Sequence, residues 1–284
     1  MQDAADRDDH TRYYELNDAF HTAIVDAAGN RRISQNHERT LRDLRLYRMR
    51  TLVHGRGLKQ SNDQHRAIVE AKLKLWGRPS SAHTQLVLLA LAELGRDYDL
   101  TLASATMGST GHVAKGNKAF GVVDTPEYLA INPNGTIPTI DDDGFILWES
   151  NAIVQYLGMS CDPELFYGND HKTFVSASRW MIWADNELMR PMHHYVKHTI
   201  RFPDEMRDAA VANQSREALI KAMAIVDGQL GKTSYIAGDS WSMGDIPMTI
   251  RVHRWMLLAI DGPALPNVER YYEQVKSRPA FDSI

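Results

Sequence analysis

Residues 1–71 have apolar positions at helical spacing and contain no strand-like run. In the first periodic stretch these positions recur three or four residues apart, as on one face of a helix: Tyr13, Leu16, Phe20, Ile24 and Ala27. Gly29 and Asn30 then form a helix stop. A second periodic stretch surrounds Leu44, and Ser61 opens a cap for a third that runs to about Glu70. The pattern predicts three helices.

At Leu73 the pattern changes to short apolar strands that alternate with helices, and from about Lys172 it is wholly helical. The strand candidates are Leu73–Gly77, Tyr98–Leu102, Thr136–Ile140 and Phe145–Trp148. The helix candidates are Gln85–Leu94, Pro126–Ala130 and a helix that starts at Ser150. Ala103–Asn117 is rich in Gly, Ser, Thr and Ala without periodicity, and predicts a mobile loop, either a lid or a surface insertion. An α/β region followed by an all-α region is therefore expected.

One strand candidate contains a proline that does not suit a sheet. The stretch NPNG, residues 132–135, is a turn-forming sequence, but Pro138 lies inside the β-branched run Thr136–Ile140. Proline cannot donate to a sheet ladder, so it must lie at an edge or at a strand start. The sequence therefore predicts a backbone edge that is open to a ligand.

Composition narrows the class of protein. A length of 284 residues suits two domains, and 43% hydrophobic residues support a sizeable core. The net charge of −4 favours neither nucleic acid nor an anionic membrane, and no apolar run approaches the roughly 18 residues of a membrane span. The acidic start does not have the pattern of a secretory signal, and Cys161 is the single cysteine. We expect a cytoplasmic protein without disulfides or a Cys-rich metal site.

The second region resembles the cytosolic glutathione S-transferases, from about Leu73 to the C-terminus. The resemblance is carried by the element order, the NPNGTIP turn, and the Glu-Ser pair within LWESNAI. LWGRPSSAHTQLVLLALAELG is similar to the first strand, active-site loop and first helix of bacterial members. SMGDI at 242–246 resembles the family's N-capping box, and SRPAF its C-terminal signature.

This resemblance implies a thioredoxin-like glutathione-binding domain at 72–160 and an all-helical domain at 161–284, preceded by an extra helical segment at 1–71. It also implies a homodimer with a role in detoxification, and glutathione as the co-substrate. In the family the proline that corresponds to Pro138 is cis. The preceding residue, here Ile137, offers its backbone N–H and C=O to the cysteine of glutathione.

Two residues match the family's contacts to the γ-glutamyl end of glutathione. Ser150 can cap the helix after FILW, and its backbone N–H lies where a helix N-terminus favours a carboxylate. Glu149 would be the countercharge for the ammonium. Taken alone, the pair reads as an ordinary helix start, and only its spacing from NPNGTIP favours the ligand site.

The resemblance also implies a donor that stabilises the glutathione thiolate, in the loop after the first strand. That loop, residues 77–83, contains neither tyrosine nor cysteine, so the tyrosine-type and cysteine-type classes fit poorly. Ser81 is the first choice and Ser80 the second. His83 stands where related sequences often have asparagine, so it could donate to the thiolate or simply begin the helix, and a backbone N–H is a further alternative.

The pocket for the electrophile is expected between the two domains, on the first long helix of the second. Its candidates are Arg190, Met192, His193, His194 and His198. His194 and His198 have the i, i+4 spacing of two metal ligands. No acidic or other third ligand stands at a spacing typical of a metal site, so no metal is expected.

Residues 10–71 resemble a truncated ligand-sensing domain, of FCD type, of GntR-family transcriptional regulators. The matching phrases are YELNDAFHTAIVDAAGNRR and SNDQHRAIVEA. The family's metal ligands would fall on Asn17, His21 and His65, but a later histidine and the DNA-binding region are missing from this sequence. We therefore expect neither metal nor DNA binding to be inherited.

The resulting prediction is a glutathione transferase that adds the glutathione thiolate to a small electrophile. Glutathione-dependent dehalogenation, isomerisation or disulfide reduction on the same fold remains open, as does a non-catalytic, glutathione-binding regulatory role.

Overall fold

The computed structural model describes residues 3, 4, 7, 9–27, 73–104 and 121–284. The chain divides into two compact units, Met1–Ala71 and Lys72–Ile284. In the first unit, helix α1 spans His10–Ala27, and Asp9 accepts a hydrogen bond from the backbone N–H of Arg12 at 3.0 Å. The first predicted helix is thus confirmed, whereas the second and third predicted helices and His65 lie outside the described residues.

The second unit begins with an α/β arrangement. Its elements are β1 Leu73–Gly77, α2 Ala82–Glu93, β2 Tyr98–Leu102, α3 Pro126–Ile131, β3 Thr139–Asp142, β4 Phe145–Trp148 and α4 Ser150–Cys161. The four strands form one sheet in the order β2-β1-β3-β4. β2 is parallel to β1, whereas β3 is antiparallel to both β1 and β4. This is the predicted thioredoxin-like domain. Most of the predicted loop 103–117 lies outside the described residues.

The rest of the second unit is helical. It comprises α5 Pro163–Tyr167, α6 His171–Trp183, α7 Arg190–Val196, α8 Ala209–Leu230, α9 Asp245–Leu258 and α10 Pro266–Lys276. Two π-helical segments, Ala184–Met189 and Lys197–Arg201, follow α6 and α7 without a break in the helical path. The predicted all-helical second region is confirmed.

Two apolar cores hold this unit together. In the first, α2 and α4 pack on the sheet through fully buried residues such as Leu75, Leu86 and Ile153. This core extends into the helical part, because it also includes Ile246 and Ile250 of α9. The second core lies among α6 to α10. The sheet domain and the helices therefore share buried side chains, which fixes the position of α9 relative to the loop after β1.

The predicted strand Thr136–Ile140 is wrong at its start, because β3 begins only at Thr139. Residues 136–138 form a loop whose backbone is held by side-chain hydrogen bonds. The Tyr128 hydroxyl and the Asn132 side-chain amide donate to the carbonyl oxygen of Thr136 at 2.6 and 2.9 Å. Pro138 thus precedes the sheet ladder, where its missing N–H removes no ladder hydrogen bond.

Candidate functional site

A cavity of about 380 Å³ opens where the sheet domain meets the helices of the second unit. Four segments supply its walls: the loop after β1, the loop before β3, the start of α4, and the helical stretch 189–201 with one residue of α9. The lining residues that the structure brings together from the sequence prediction are Ser81, His83, Ile137, Pro138, Glu149, Ser150, Met192 and His193.

The Ile137–Pro138 peptide bond at this cavity is cis, as the resemblance implied. The ladder hydrogen bonds of β3 start at Thr139, which pairs with Trp76 on one side and with Trp148 on the other. Ile137 precedes this ladder and lines the cavity. Its backbone is therefore placed like an unpaired extension of β3, where an extended ligand could pair with it.

Ser81 is buried and serves as the N-cap of α2. Its Oγ accepts a hydrogen bond from the backbone N–H of Thr84 at 3.4 Å, and its own N–H donates to the carbonyl oxygen of Arg78 at 3.0 Å. A hydroxyl has one proton to donate besides its acceptor lone pairs. The capping bond therefore leaves the Ser81 O–H able to donate to a group in the cavity.

Ser80, the second choice from the sequence, is exposed and does not belong to the residues that line the cavity. Its Oγ accepts from the Arg78 guanidinium at 3.1 Å, and its carbonyl oxygen accepts from Arg254 at 3.2 Å. Ser80 therefore contributes to the wall behind the cavity by holding two arginine side chains.

The start of α4 brings Glu149 and Ser150 to the cavity. Glu149 is the residue before the helix and makes no side-chain capping bond, and its φ of 73° with ψ of 109° lies outside the usual regions for a non-glycine residue. The expectation that Ser150 caps the helix is wrong by one position, because Ser150 is already its first helical residue. Its Oγ instead lies 3.1 Å from Nδ1 of His83.

His83 is held as a neutral imidazole at pH 7. Burial is the main reason that its pKa is lowered from 6.5 to about 4, with the nearby Arg251 and Arg254 guanidiniums adding to the effect and Asp185 opposing it. A neutral imidazole has one donor and one acceptor nitrogen. His83 can therefore fix the orientation of the Ser150 hydroxyl without adding a charge to the cavity.

An ion pair with a fully buried arginine supports this wall. Arg251 donates to Oδ1 of Asp185 at 2.8 Å, and the Asn151 amide donates to Oδ2 of the same carboxylate at 2.9 Å. The pair ties α9 and the helical stretch after α6 to the start of α4. Sequence analysis missed this arrangement, because Asn151, Asp185 and Arg251 come from distant parts of the chain.

Three arginines on the cavity lining were also missed. Arg78 comes from the loop after β1, Arg201 from the end of the second π-helical segment, and Arg254 from α9. Each has its pKa lowered, mainly by burial, and neighbouring guanidiniums add to the effect on Arg78 and Arg254. The His193 pKa is likewise lowered to about 4, by burial and then by Lys197 and Arg201.

The other predicted pocket residues are placed differently. Arg190 is exposed, and neither Arg190 nor His194 is part of the lining. His198 accepts a hydrogen bond from the backbone N–H of Asp208 through Nδ1 at 3.0 Å, so that nitrogen has a structural partner. In the described part of the chain, no group of three or more His, Cys, Asp or Glu side chains is arranged to hold a metal ion. No described helix is long and apolar enough to cross a membrane.

Comparison with known proteins agrees with this geometry. Residues 80–159 match the sequence model of the glutathione S-transferase N-terminal domain. The chain is 31% identical over 214 residues to glutathione S-transferase GstB of Escherichia coli, which covers 75% of this chain and 97% of that relative. This chain belongs to the glutathione S-transferase family.

A solved glutathione S-transferase also shares the fold. The theta class glutathione S-transferase of Xanthomonas axonopodis pv. citri, crystallised with glutathione bound, superposes with a TM-score of 0.65 at 29% identity, covering 75% of this chain and 96% of that one. Glutathione S-transferase 4 of Zea mays is 29% identical over 217 residues, covering 75% of this chain and 91% of that relative.

The first unit matches a different family. Residues 1–74 match the sequence model of the FCD domain. The predicted combination of an FCD segment with a glutathione S-transferase is therefore confirmed. The FCD match and the glutathione S-transferase match at 80–159 do not overlap.

Proposed function

We propose that this protein is a glutathione transferase that binds glutathione in the cavity and joins its thiolate sulfur to a small electrophile. The observation that carries the proposal is the convergence of Ser81, the Ile137–Pro138 backbone and the Glu149–Ser150 pair on one cavity. Each of these groups answers a different chemical need of the same tripeptide. The supporting comparison is the related theta class enzyme that was crystallised with glutathione.

The γ-glutamyl end of glutathione would bind at the start of α4. Its carboxylate would accept from the Ser150 hydroxyl and from backbone N–H groups of the first helical turn, which have no partners within the helix. Its ammonium would pair with the Glu149 carboxylate. The unusual backbone of Glu149 supports this role, because strained residues of this kind cluster at ligand-binding positions.

The cysteine of glutathione would pair with the backbone of Ile137, which lies two residues before β3. This contact uses the main chain of the ligand and brings its thiol toward Ser81, because both residues line the same cavity. The ligand is thereby added like a short strand, in a geometry that a peptide can adopt without reorganising the protein.

Ser81 would donate its hydroxyl proton to the thiolate. A free thiol with a pKa near 8.5 is only about 3% ionised at pH 7, and lowering its pKa by two units requires roughly 2.7 kcal/mol of preferential thiolate stabilisation. A hydrogen bond to a charged group contributes about 1.5–3 kcal/mol. One hydroxyl hydrogen bond is therefore of the magnitude needed to make the thiolate abundant.

We extend the proposal to the organisation of the chain. Residues 72–160 form the glutathione-binding domain and 161–284 the helical domain, in a cytoplasmic homodimer as is usual in the family. Residues 1–71 remain a helical segment that resembles part of an FCD regulator domain. Glutathione is consumed as a co-substrate, and no metal takes part.

Binding and conjugation are tested by two measurements on the full chain. Titration calorimetry should show one glutathione per chain, and Glu149→Ala should weaken binding about 30-fold, because it leaves the ammonium without its partner at a cost of about 2 kcal/mol. Glu127→Ala, an exposed acid of the same domain outside the cavity lining, is the matched control.

The second measurement follows product formation from glutathione and neutral 4-chloro-3-nitrobenzamide. Conjugation above the uncatalysed rate is expected. Glutathione binding without conjugation of this or other electrophiles would instead indicate a non-catalytic role, and products from haloacids, maleyl compounds or disulfides would identify the alternative reactions. An equal loss of affinity in Glu149→Ala and in Glu127→Ala would refute the assigned site.

A further inference from the structure

The lining of the same cavity also combines an apolar wall with positive charge. Met189, Met192 and Val196 line it at helical spacing from the stretch that follows α6. Arg78, Arg201 and Arg254 line the same cavity. Among the described residues of the lining, the carboxylates amount to Glu149 alone, which the proposed function assigns to the ammonium of glutathione.

We propose that these three arginines bind an anionic group of the second substrate, so that the preferred electrophiles are small molecules with an apolar body and a carboxylate. This inference rests on the proposed function, since it names the substrate class of the same site. It also commits the arginine cluster to the electrophile instead of to a carboxylate of glutathione.

Arg254 supports this assignment most directly. One of its terminal nitrogens donates to two neutral acceptors, the Ser80 carbonyl oxygen at 3.2 Å and Oε1 of Gln85 at 2.7 Å. Its Nε is buried and has no hydrogen-bond partner among the described residues. Its neighbour Arg251, in contrast, has a carboxylate partner in Asp185 at 2.8 Å. The fold thus neutralises one arginine of α9 and leaves the cavity-lining one facing neutral groups.

The positive charges of these arginines repel one another, and a bound anion would offset that repulsion. The Arg254 pKa is lowered to about 10, first by burial and then by Arg251, Arg201 and Arg78, so the cationic forms destabilise one another. A bound carboxylate between the guanidiniums offsets this repulsion and accepts hydrogen bonds from more than one of them. The arginines and the apolar wall come mainly from the helical domain, where the proposed glutathione contacts do not lie.

A pair of electrophiles that differ only in charge tests the inference. 4-Chloro-3-nitrobenzoate and 4-chloro-3-nitrobenzamide react in the same way: the glutathione sulfur forms a bond to the ring carbon, and chloride leaves with the bonding electrons. With each kcat/KM divided by the uncatalysed rate constant for that compound, the benzoate should be preferred by about 10-fold or more, as expected for one charge-assisted contact.

Arg201→Gln should lower kcat/KM for the benzoate about 10-fold while changing the value for the benzamide, and the KM for glutathione, by less than about 2-fold. Arg201 suits this test because it is the last residue of its helical segment. Arg190→Gln is the matched control: it removes the same charge from the same helical stretch at an exposed position outside the lining. Arg201→Lys should retain part of the preference for the benzoate.

Different outcomes separate the proposals. If the wild-type chain conjugates the benzamide but shows no preference for the benzoate, the inference is wrong and the proposed function stands. A rise in the KM for glutathione in Arg201→Gln, with equal losses for both electrophiles, would assign the cluster to a glutathione carboxylate and also overturn the inference. Failure to conjugate either compound would count against the proposed function itself.

A measurement on the unaltered chain removes any dependence on how the variants fold. Raising the salt concentration from about 0.01 to 1 M shortens the Debye length from about 30 to 3 Å. The normalised kcat/KM should therefore fall for the benzoate and remain nearly constant for the benzamide. The same salt dependence for both compounds would contradict a charge-specific contact with the electrophile.

Discussion

Glu149 is the residue at which the proposed function and the stability of the fold oppose each other. Its φ of 73° lies in the region that favours glycine, and its side chain makes no capping bond to α4. Holding a non-glycine residue in such a conformation costs about 1–3 kcal/mol. Replacement by glycine relieves this strain but gives the unfolded chain extra freedom, which costs about 0.5–1 kcal/mol. Glu149→Gly should therefore stabilise the protein by about 1 kcal/mol.

The same substitution should damage glutathione binding. It removes the carboxylate that would pair with the ammonium of glutathione, at a cost of about 2 kcal/mol or about 30-fold in Kd. Urea denaturation and titration calorimetry should thus give changes of opposite sign in one variant. That combination distinguishes loss of a ligand contact from general damage to the fold, which would lower both quantities.

Asp143→Gly is the matched control. Asp143 also has a positive φ, 53°, but it lies in the turn between β3 and β4, outside the cavity lining. Asp143→Gly should relieve the backbone strain at this position and leave the Kd for glutathione unchanged. The reasoning is refuted if Glu149→Gly binds glutathione like the wild type, or if Asp143→Gly weakens binding equally.

Three further predictions follow from the same geometry. Ser81→Ala should lower conjugation of the neutral benzamide at pH 7 about 10-fold or more while changing the Kd for glutathione little, because it removes the hydrogen bond to the thiolate. Ser80→Ala should keep wild-type kinetics with the same neutral compound, and the reverse result would move the donor by one residue. His83 has a pKa near 6.5 in the unfolded chain and of about 4 in the folded protein, so acid favours the unfolded chain. As the pH drops from 7 to 4, the free energy of unfolding should therefore fall by about 3 kcal/mol more in the wild type than in His83→Asn. His171→Asn, at an exposed helix start, should retain the wild-type pH dependence, and equal slopes in all three chains would contradict the buried neutral imidazole. A chain that begins at Lys72 should fold and keep its conjugation rate within a few-fold, because the cavity lining lies wholly within residues 78–254. Circular dichroism and steady-state kinetics measure this, and an insoluble or inactive product would make the first unit an integral part of the enzyme.

Much of the fold was readable from the sequence because its signals are local. The turn before Pro138 and the glutamate-serine pair at 149–150 each occupy a few consecutive residues, and their spacing fixes where β3 and α4 begin. The predicted strand that included Pro138 was too long, because the Tyr128 and Asn132 side chains hold that backbone away from the ladder. Such side-chain contacts have no local pattern.

The electrophile side of the cavity was harder to predict for a geometric reason. Consecutive residues of an α-helix are about 100° apart, so His193 lines the cavity while His194 does not. The π-helical segments at 184–189 and 197–201 shift this phase, because each turn contains more residues than an α-helical turn. Arg201 therefore lines the cavity, although α-helical spacing from Met189 would place it on a different face of the helix.

The cationic character of the cavity depends on tertiary packing. Arg78, Arg201 and Arg254 are separated by more than fifty residues from one another, and each alone reads as a surface arginine. Only the tertiary packing of the loop after β1, the helical stretch 189–201 and α9 brings them to one cavity. A single sequence carries no signal for this convergence, so the substrate class could not be inferred before the structure was known.

The central claim is that the cavity ionises the thiol of bound glutathione. The most direct test is the ultraviolet difference spectrum of the complex against free protein and free glutathione, followed across pH for the thiolate absorbance. We predict that the thiol of bound glutathione titrates about two pH units below its free value near 8.5, and that Ser81→Ala moves this titration back toward the free value. Glutathione that binds with an unshifted thiol would contradict the account, since the cavity would then hold the ligand without preparing it for reaction.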